Sequence, residues 1–116
     1  DLRTVMRTFL EEGEHEVLEA ADGVEGRERI LESEVDLVIT DIVMPKKGGM
    51  ELTMGLARSH PELRWILISG QVPVDAPPVQ SLVRHFGIRS IIGKPFTKRQ
   101  LLDAVYESLR EKNDTP

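Results

Sequence analysis

Asp36-Leu37-Val38-Ile39-Thr40-Asp41 is the stretch on which the fold turns, a nearly continuous apolar run closed by an acid. Strands with one wet face alternate apolar and polar residues. An unbroken apolar run between polar ends fits a strand buried on both faces, as in parallel sheets. Trp65-Ile66-Leu67-Ile68, ending at Ser69-Gly70, reads the same way, and so does the short run Ser90-Ile91-Ile92-Gly93. Glu16-Val17-Leu18-Glu19-Ala20 reads as one further short strand, broken by Asp22-Gly23.

Helical patterns separate these runs. Leu2, Val5, Met6, Phe9 and Leu10 recur at helical spacing, and the pattern stops around Gly13. A second helical stretch follows Asp22-Gly23 and ends near Leu31. After the turn signals Pro45 and Gly48-Gly49, Met50 to His60 predicts a third helix, with Pro61 marking the way out. The three prolines between Val72 and Pro78 exclude a regular helix until about Val79, from which a short fourth helix runs to Phe86. The last helix follows Lys94-Pro95-Phe96-Thr97 and places Leu101, Leu102, Val105 and Leu109 on one face. Thr97 and Gln100 have the spacing of a capping box. Strands alternating with helices predict an α/β fold: a doubly wound parallel sheet with right-handed crossovers and helices on both faces. The 116 residues suffice for one core, so residues 1–116 are read as a single domain, without repeats or linkers.

Composition narrows the function classes. Apolar residues at 40% and charged residues at 30% are the balance of a folded globular chain. No apolar run approaches the roughly 20 residues of a membrane-spanning helix, and no basic-then-apolar leader opens the sequence, so neither a membrane role nor export is expected. The absence of cysteine removes disulfides and thiolate metal sites, which suits a reducing cytoplasm. A formal charge of −5 with scattered Lys and Arg argues against direct nucleic-acid binding. His15, His60 and His85 lack ligand spacing, and Met50, Met54 and Trp65 read as packing residues.

Ligands of open parallel sheets bind outside the carboxyl ends of the strands. Asp41, Ser69 and Lys94 occupy such ends, each from a different strand, and the predicted sheet brings them to one edge. Alone, each has an ordinary reading as a turn cap, a turn residue or a surface lysine. Together they make a phosphoryl-transfer site. The Asp41 carboxylate is the candidate nucleophile, forming an acyl phosphate. Ser69 is placed to hydrogen-bond a phosphoryl oxygen, and the Lys94 ammonium to neutralise another. Carboxylate and phosphoryl oxygens are hard ligands, so Mg²⁺ is the expected ion, bound by Asp41 and a nearby backbone carbonyl.

Asp41-Ile42-Val43-Met44-Pro45 with Gly48-Gly49-Met50, then Leu67-Ile68-Ser69-Gly70, then Lys94-Pro95-Phe96, resemble the motifs of response-regulator receiver domains in order and spacing. Ala20-Ala21-Asp22-Gly23 is similar as well, so the resemblance spans essentially the whole chain. It implies a flavodoxin-like sheet of strand order 2-1-3-4-5, with Asp41 as phosphoacceptor, Ser69 as switch hydroxyl, Lys94 as phosphate-contacting lysine, the Val43 carbonyl as a Mg²⁺ ligand and a cis bond before Pro95. It further implies a sensor histidine kinase as donor, an effector domain or downstream protein as target, and homodimerisation as one route of output. The alternative is a pseudo-receiver that binds partners without being phosphorylated.

The sequence departs from the family in four places. Its first strand and acidic pair would fall ahead of Asp1, about three residues upstream for the pair, so the expectation is an N-terminally incomplete receiver with weakened Mg²⁺ binding. Ile91 stands where many receivers carry a Tyr or Phe that swings inward. The prolines of Val72–Pro78 restrict that loop. Val43 is apolar where a polar side chain would help position attacking water, so slow self-dephosphorylation is expected.

Overall fold

The computed structural model of the chain describes residues 2–41, 55–70, 77 and 88–114. Its centre is the strand whose sequence carries the longest apolar run. Strand β2, Arg64–Ser69, is buried at every residue, as a strand covered on both faces must be. It pairs in parallel with β1, Leu37–Asp41, on one side and with β3, Ile88–Gly93, on the other, giving the order β1-β2-β3. Val38 lies beside Trp65 and Asp41 beside Ile68, while Ser69 lies beside Gly93. An irregularity at Trp65/Ile66 lets Ile88 and Ser90 face consecutive residues of β2, and the ladder then continues in step to Ser69.

Alternation sorts the side chains into two faces. Ile66 and Ile68 of β2 and Ile92 of β3 meet Leu101 and Val105 in the main core, with Leu37 and Ile39 of β1 packed beside them. Two helices cover this face. Helix α1, Leu2–Glu12, contributes Leu2, Met6, Phe9 and Leu10, four of the five residues its helical spacing had grouped, the fifth, Val5, being exposed, and packs against the C-terminal helix α3, Lys98–Asp114. The capping box opens α3: Gln100 N–H donates to Thr97 Oγ1 at 3.1 Å, and Thr97 N–H donates to Gln100 Oε1 at 2.8 Å. On the other face Trp65 and Leu67 are also fully buried, as is Leu56 in the helical turns at 55–59.

Gly13 follows α1 where the chain passes close to α3: a Cβ there would stand 2.9 Å from Leu102 Cδ2, which would have to shift. The chain then turns through Glu14 at a φ of +67°. Helix α2, Gly23–Glu32, starts on Asp22, whose Oδ1 accepts from Glu25 N–H at 2.9 Å. At the base of the sheet the buried Arg64 guanidinium donates from Nη1 to the carbonyls of Ser108 at 3.4 Å and Leu109 at 3.3 Å. Backbone carbonyl oxygens carry partial negative charge, so they are fitting partners for a buried cation.

One sequence expectation is corrected here. Residues 16–20 are not a strand: among the described residues no ladder joins them to a neighbour, and Leu18 is 59% exposed. A strand exists through its inter-strand hydrogen bonds, and apolar content cannot replace them. Charge holds the segment instead. Glu19 pairs with Arg3 at 3.1 Å and with Arg7, both on α1. The described sheet therefore holds the last three strands of the expected order. Val43, residues 50–54 with Met50 and Met54, His85, the Val79–Phe86 helix and all of the Val72–Pro78 loop but Pro77 lie outside the described residues. No helix among the described residues is long and apolar enough to cross a membrane.

Candidate functional site

Parallel pairing places the carboxyl ends of the three strands together, and each ends on a chemically active residue or just before one. Asp41 closes β1, Ser69 closes β2, and Lys94 follows Gly93, the last residue of β3. The Lys94 ammonium forms an ion pair with Asp41 Oδ2 across the carboxyl end of β2. Neither side chain is buried: 27% of Asp41 and 35% of Lys94 remain exposed, so the pair is reachable from solvent. Ser69 is buried and ties the same corner together, its carbonyl accepting from Lys94 N–H at 2.8 Å. The Lys94–Pro95 peptide is cis.

Space for the lysine comes from Gly70. A Cβ there would lie 3.1 Å from Lys94 Cδ and 3.5 Å from Cε, so a larger residue would press on the stem that carries the ammonium to Asp41. Ile91 is half-buried on β3 beside Leu67, with β2 between it and Asp41's strand. Lys94 also lines an open groove of about 480 Å³, with Leu2 and Val5 of α1 and with Pro95 and Phe96. The groove and the role of Gly70 escape a reading of the sequence alone. Gly70 leaves only the faint signal of a glycine directly after a strand-end serine, and the groove leaves none, because its walls lie some 90 residues apart in sequence.

Asp41, Ser69 and Lys94 thus gather at one corner, as strand-end placement demands. The remaining expected ligand, the Val43 carbonyl, lies outside the described residues. Among the described residues no group of three or more acidic or histidine side chains gathers as a metal shell. Asp41 offers one hard oxygen ligand, and a Mg²⁺ ion keeps near-octahedral coordination. The described residues therefore do not hold the ion by themselves.

An open parallel sheet with an acid, a hydroxyl and a lysine converging on its carboxyl edge defines the class of the domain. A sequence profile of the response regulator receiver domain matches residues 1–106, and the chain belongs to that family. The chemotaxis protein CheY of Halobacterium salinarum is 33% identical over 93% of this chain and 88% of its own length. The CAI-1 autoinducer sensor kinase/phosphatase CqsS of Vibrio cholerae is 35% identical over 90% of this chain, which spans only 15% of that protein. Among solved structures, a CheY-like receiver domain from Methanospirillum hungatei superposes with a TM-score of 0.87 at 26% identity, covering 97% of this chain and 88% of that one. The chain is thus a receiver domain of two-component signalling with a flavodoxin-like α/β fold, in a family of signalling domains rather than conventional enzymes.

Proposed function

We propose that the domain is a phosphoacceptor: Asp41 takes a phosphoryl group from the phosphohistidine of a sensor kinase, and the domain then shifts conformation to regulate an attached effector or a downstream protein. The observation that carries this reading is the Asp41–Lys94 ion pair at the carboxyl edge of the sheet. A carboxylate oxygen attacks phosphorus, the P–N bond to the donor imidazole breaks, and the electron pair leaves with the imidazole. Asp41, exposed by a quarter and facing a cation, is placed for that attack, and Lys94 is placed to balance the phosphoryl charge. Ser69, linked through its carbonyl to Lys94, is the candidate to sense the new group. A phosphoryl group at this corner would add contacts that one conformation satisfies better than the other, which is what biases a two-state domain.

Kinase partnership draws support from relatives, among them the Brucella abortus sensor kinase CckA, 38% identical over 84% of this chain and 10% of its own length. Mg²⁺ is the proposed cofactor, with Asp41 as the ligand this chain contributes, in a cytoplasmic setting. The half-buried, aliphatic Ile91 favours a second reading, a pseudo-receiver that docks partners without turning over phosphate. Mass spectrometry separates the two. Incubation with phosphoramidate and MgCl₂ is expected to add one phosphoryl group to the chain and none to Asp41→Asn. An unmodified wild-type chain would leave the pseudo-receiver.

A further inference from the structure

Gly70 directly follows the last residue of β2. Its backbone does not demand glycine through φ, which lies outside the left-handed region. What a side chain would meet there is a different matter. Apart from its chain neighbours, the three heavy atoms nearest to the place of a Cβ all belong to the Lys94 side chain, Cδ at 3.1 Å, Cε at 3.5 Å and Cβ at 3.7 Å. The path of the lysine explains why. Lys94 leaves the end of β3 with its N–H donating to the Ser69 carbonyl at 2.8 Å, and its ammonium pairs with Asp41 at the end of β1. Because β2 stands between those two strands, the stem has to cross the end of β2, where Gly70 lies. Its main chain is anchored at one end and its charge is engaged at the other, so a Cβ at residue 70 would push the stem aside by a few tenths of an ångström.

We propose that Gly70 is a positioning residue of phosphoryl transfer, acting through Lys94 by leaving its stem the path that sets the ammonium on Asp41; the proposal rests on Asp41 being the phosphoacceptor. In the transfer an Asp41 oxygen bonds to phosphorus while the bond from phosphorus to the donor nitrogen breaks, its electron pair leaving with that nitrogen. Throughout that step the ammonium has to face the phosphoryl oxygens. A stem driven off its staggered rotamer loses the productive pose by about threefold to tenfold. Gly70→Ala is therefore expected to slow transfer by about threefold, and Gly70→Val, bulkier still, by about tenfold.

The test is a double-mutant cycle read as second-order rate constants for adduct formation from phosphoramidate in MgCl₂, by intact-protein mass spectrometry. In the Lys94→Gln background, which has no ammonium to misplace, neither substitution at Gly70 is expected to lower the residual rate further. Gly55→Ala, where a Cβ would stand an ordinary 3.8 Å from Arg27 Nη1, is expected to leave the wild-type rate unchanged. Urea denaturation identifies the folded variants, and should Gly70→Val unfold, Gly70→Ala carries the cycle. Equal slowing in both backgrounds moves the effect to Asp41 itself or to donor access and overturns the proposal. So does an unchanged rate in a folded Gly70 variant. If phosphoramidate fails to label the wild-type chain, the phosphoacceptor reading falls, and the proposal with it.

Discussion

The two ends of β2 solve the problem of a charged neighbour in opposite ways. At the base, Arg64 is 4% exposed and spends its charge on the carbonyls of Ser108 and Leu109, fastening α3 to the sheet. At the carboxyl end, the cation beside Ser69 is Lys94, one-third exposed and paired with a carboxylate that solvent can also reach. Burial makes the first arrangement expensive to disturb and chemically inert. Exposure makes the second cheap to disturb and open to a reactant. Stability and chemistry thus sit at the two ends of one strand of six residues.

That contrast breaks first at Arg64. Arg64→Ala removes charge-assisted hydrogen bonds and the packing of a long buried stem, and is expected to cost about 3 kcal/mol in urea denaturation. Arg64→Met, which keeps much of the stem, is expected to recover about half of the loss. Thr97→Ala removes one arm of the capping box that starts α3 and is expected to cost about 1 kcal/mol. Lys94→Gln is expected to cost less than about 1 kcal/mol, as exposed pairs do. Adduct formation at Asp41 should nevertheless slow by at least tenfold in a phosphoramidate assay, and a large stability loss with unchanged labelling would invert the comparison.

The smallest expected effect is an acid one. Arg7 and Arg3 hold the Glu19 carboxyl below its ordinary value of 4.5, the hydrogen bond from Arg7 being the main cause. A depressed carboxyl stabilises the fold above its unfolded value and loses that contribution as pH falls through the folded one. Glu19→Gln is therefore expected to lower the melting temperature slightly at pH 7, and by progressively less as the pH falls below the carboxyl's ordinary 4.5, which paired thermal scans would show.

The strands and the site were legible because both depend on local sequence. Leu37–Asp41 and Arg64–Ser69 announce themselves as apolar runs, and Asp41, Ser69 and Lys94 are found simply by asking which residue closes each run. The capping box at Thr97 was equally plain, its partners only three residues apart. A similar cap at Asp22 was read only as a break, although Asp22 and Glu25 carry the spacing that would have revealed it. What stayed hidden depends on distant partners. Residues 16–20 look like a strand to any reading of apolar content, yet strand formation is decided by the neighbour that supplies the ladder. Gly70's service to Lys94 and Arg64's grip on α3 join residues 24 and 44 or more positions apart, beyond the reach of periodicity.

The segment at 16–20 has a consequence of its own. Where the sheet is held by backbone ladders that salt leaves untouched, this stretch is held to α1 by ion pairs at the surface, and at 0.15 M ionic strength charges are screened over about 8 Å. Raising the salt should therefore loosen residues 16–20 from α1, read as larger shifts of their amide resonances, while leaving β2 as slow to exchange as before, giving one small domain two parts that answer differently to the ionic composition around it.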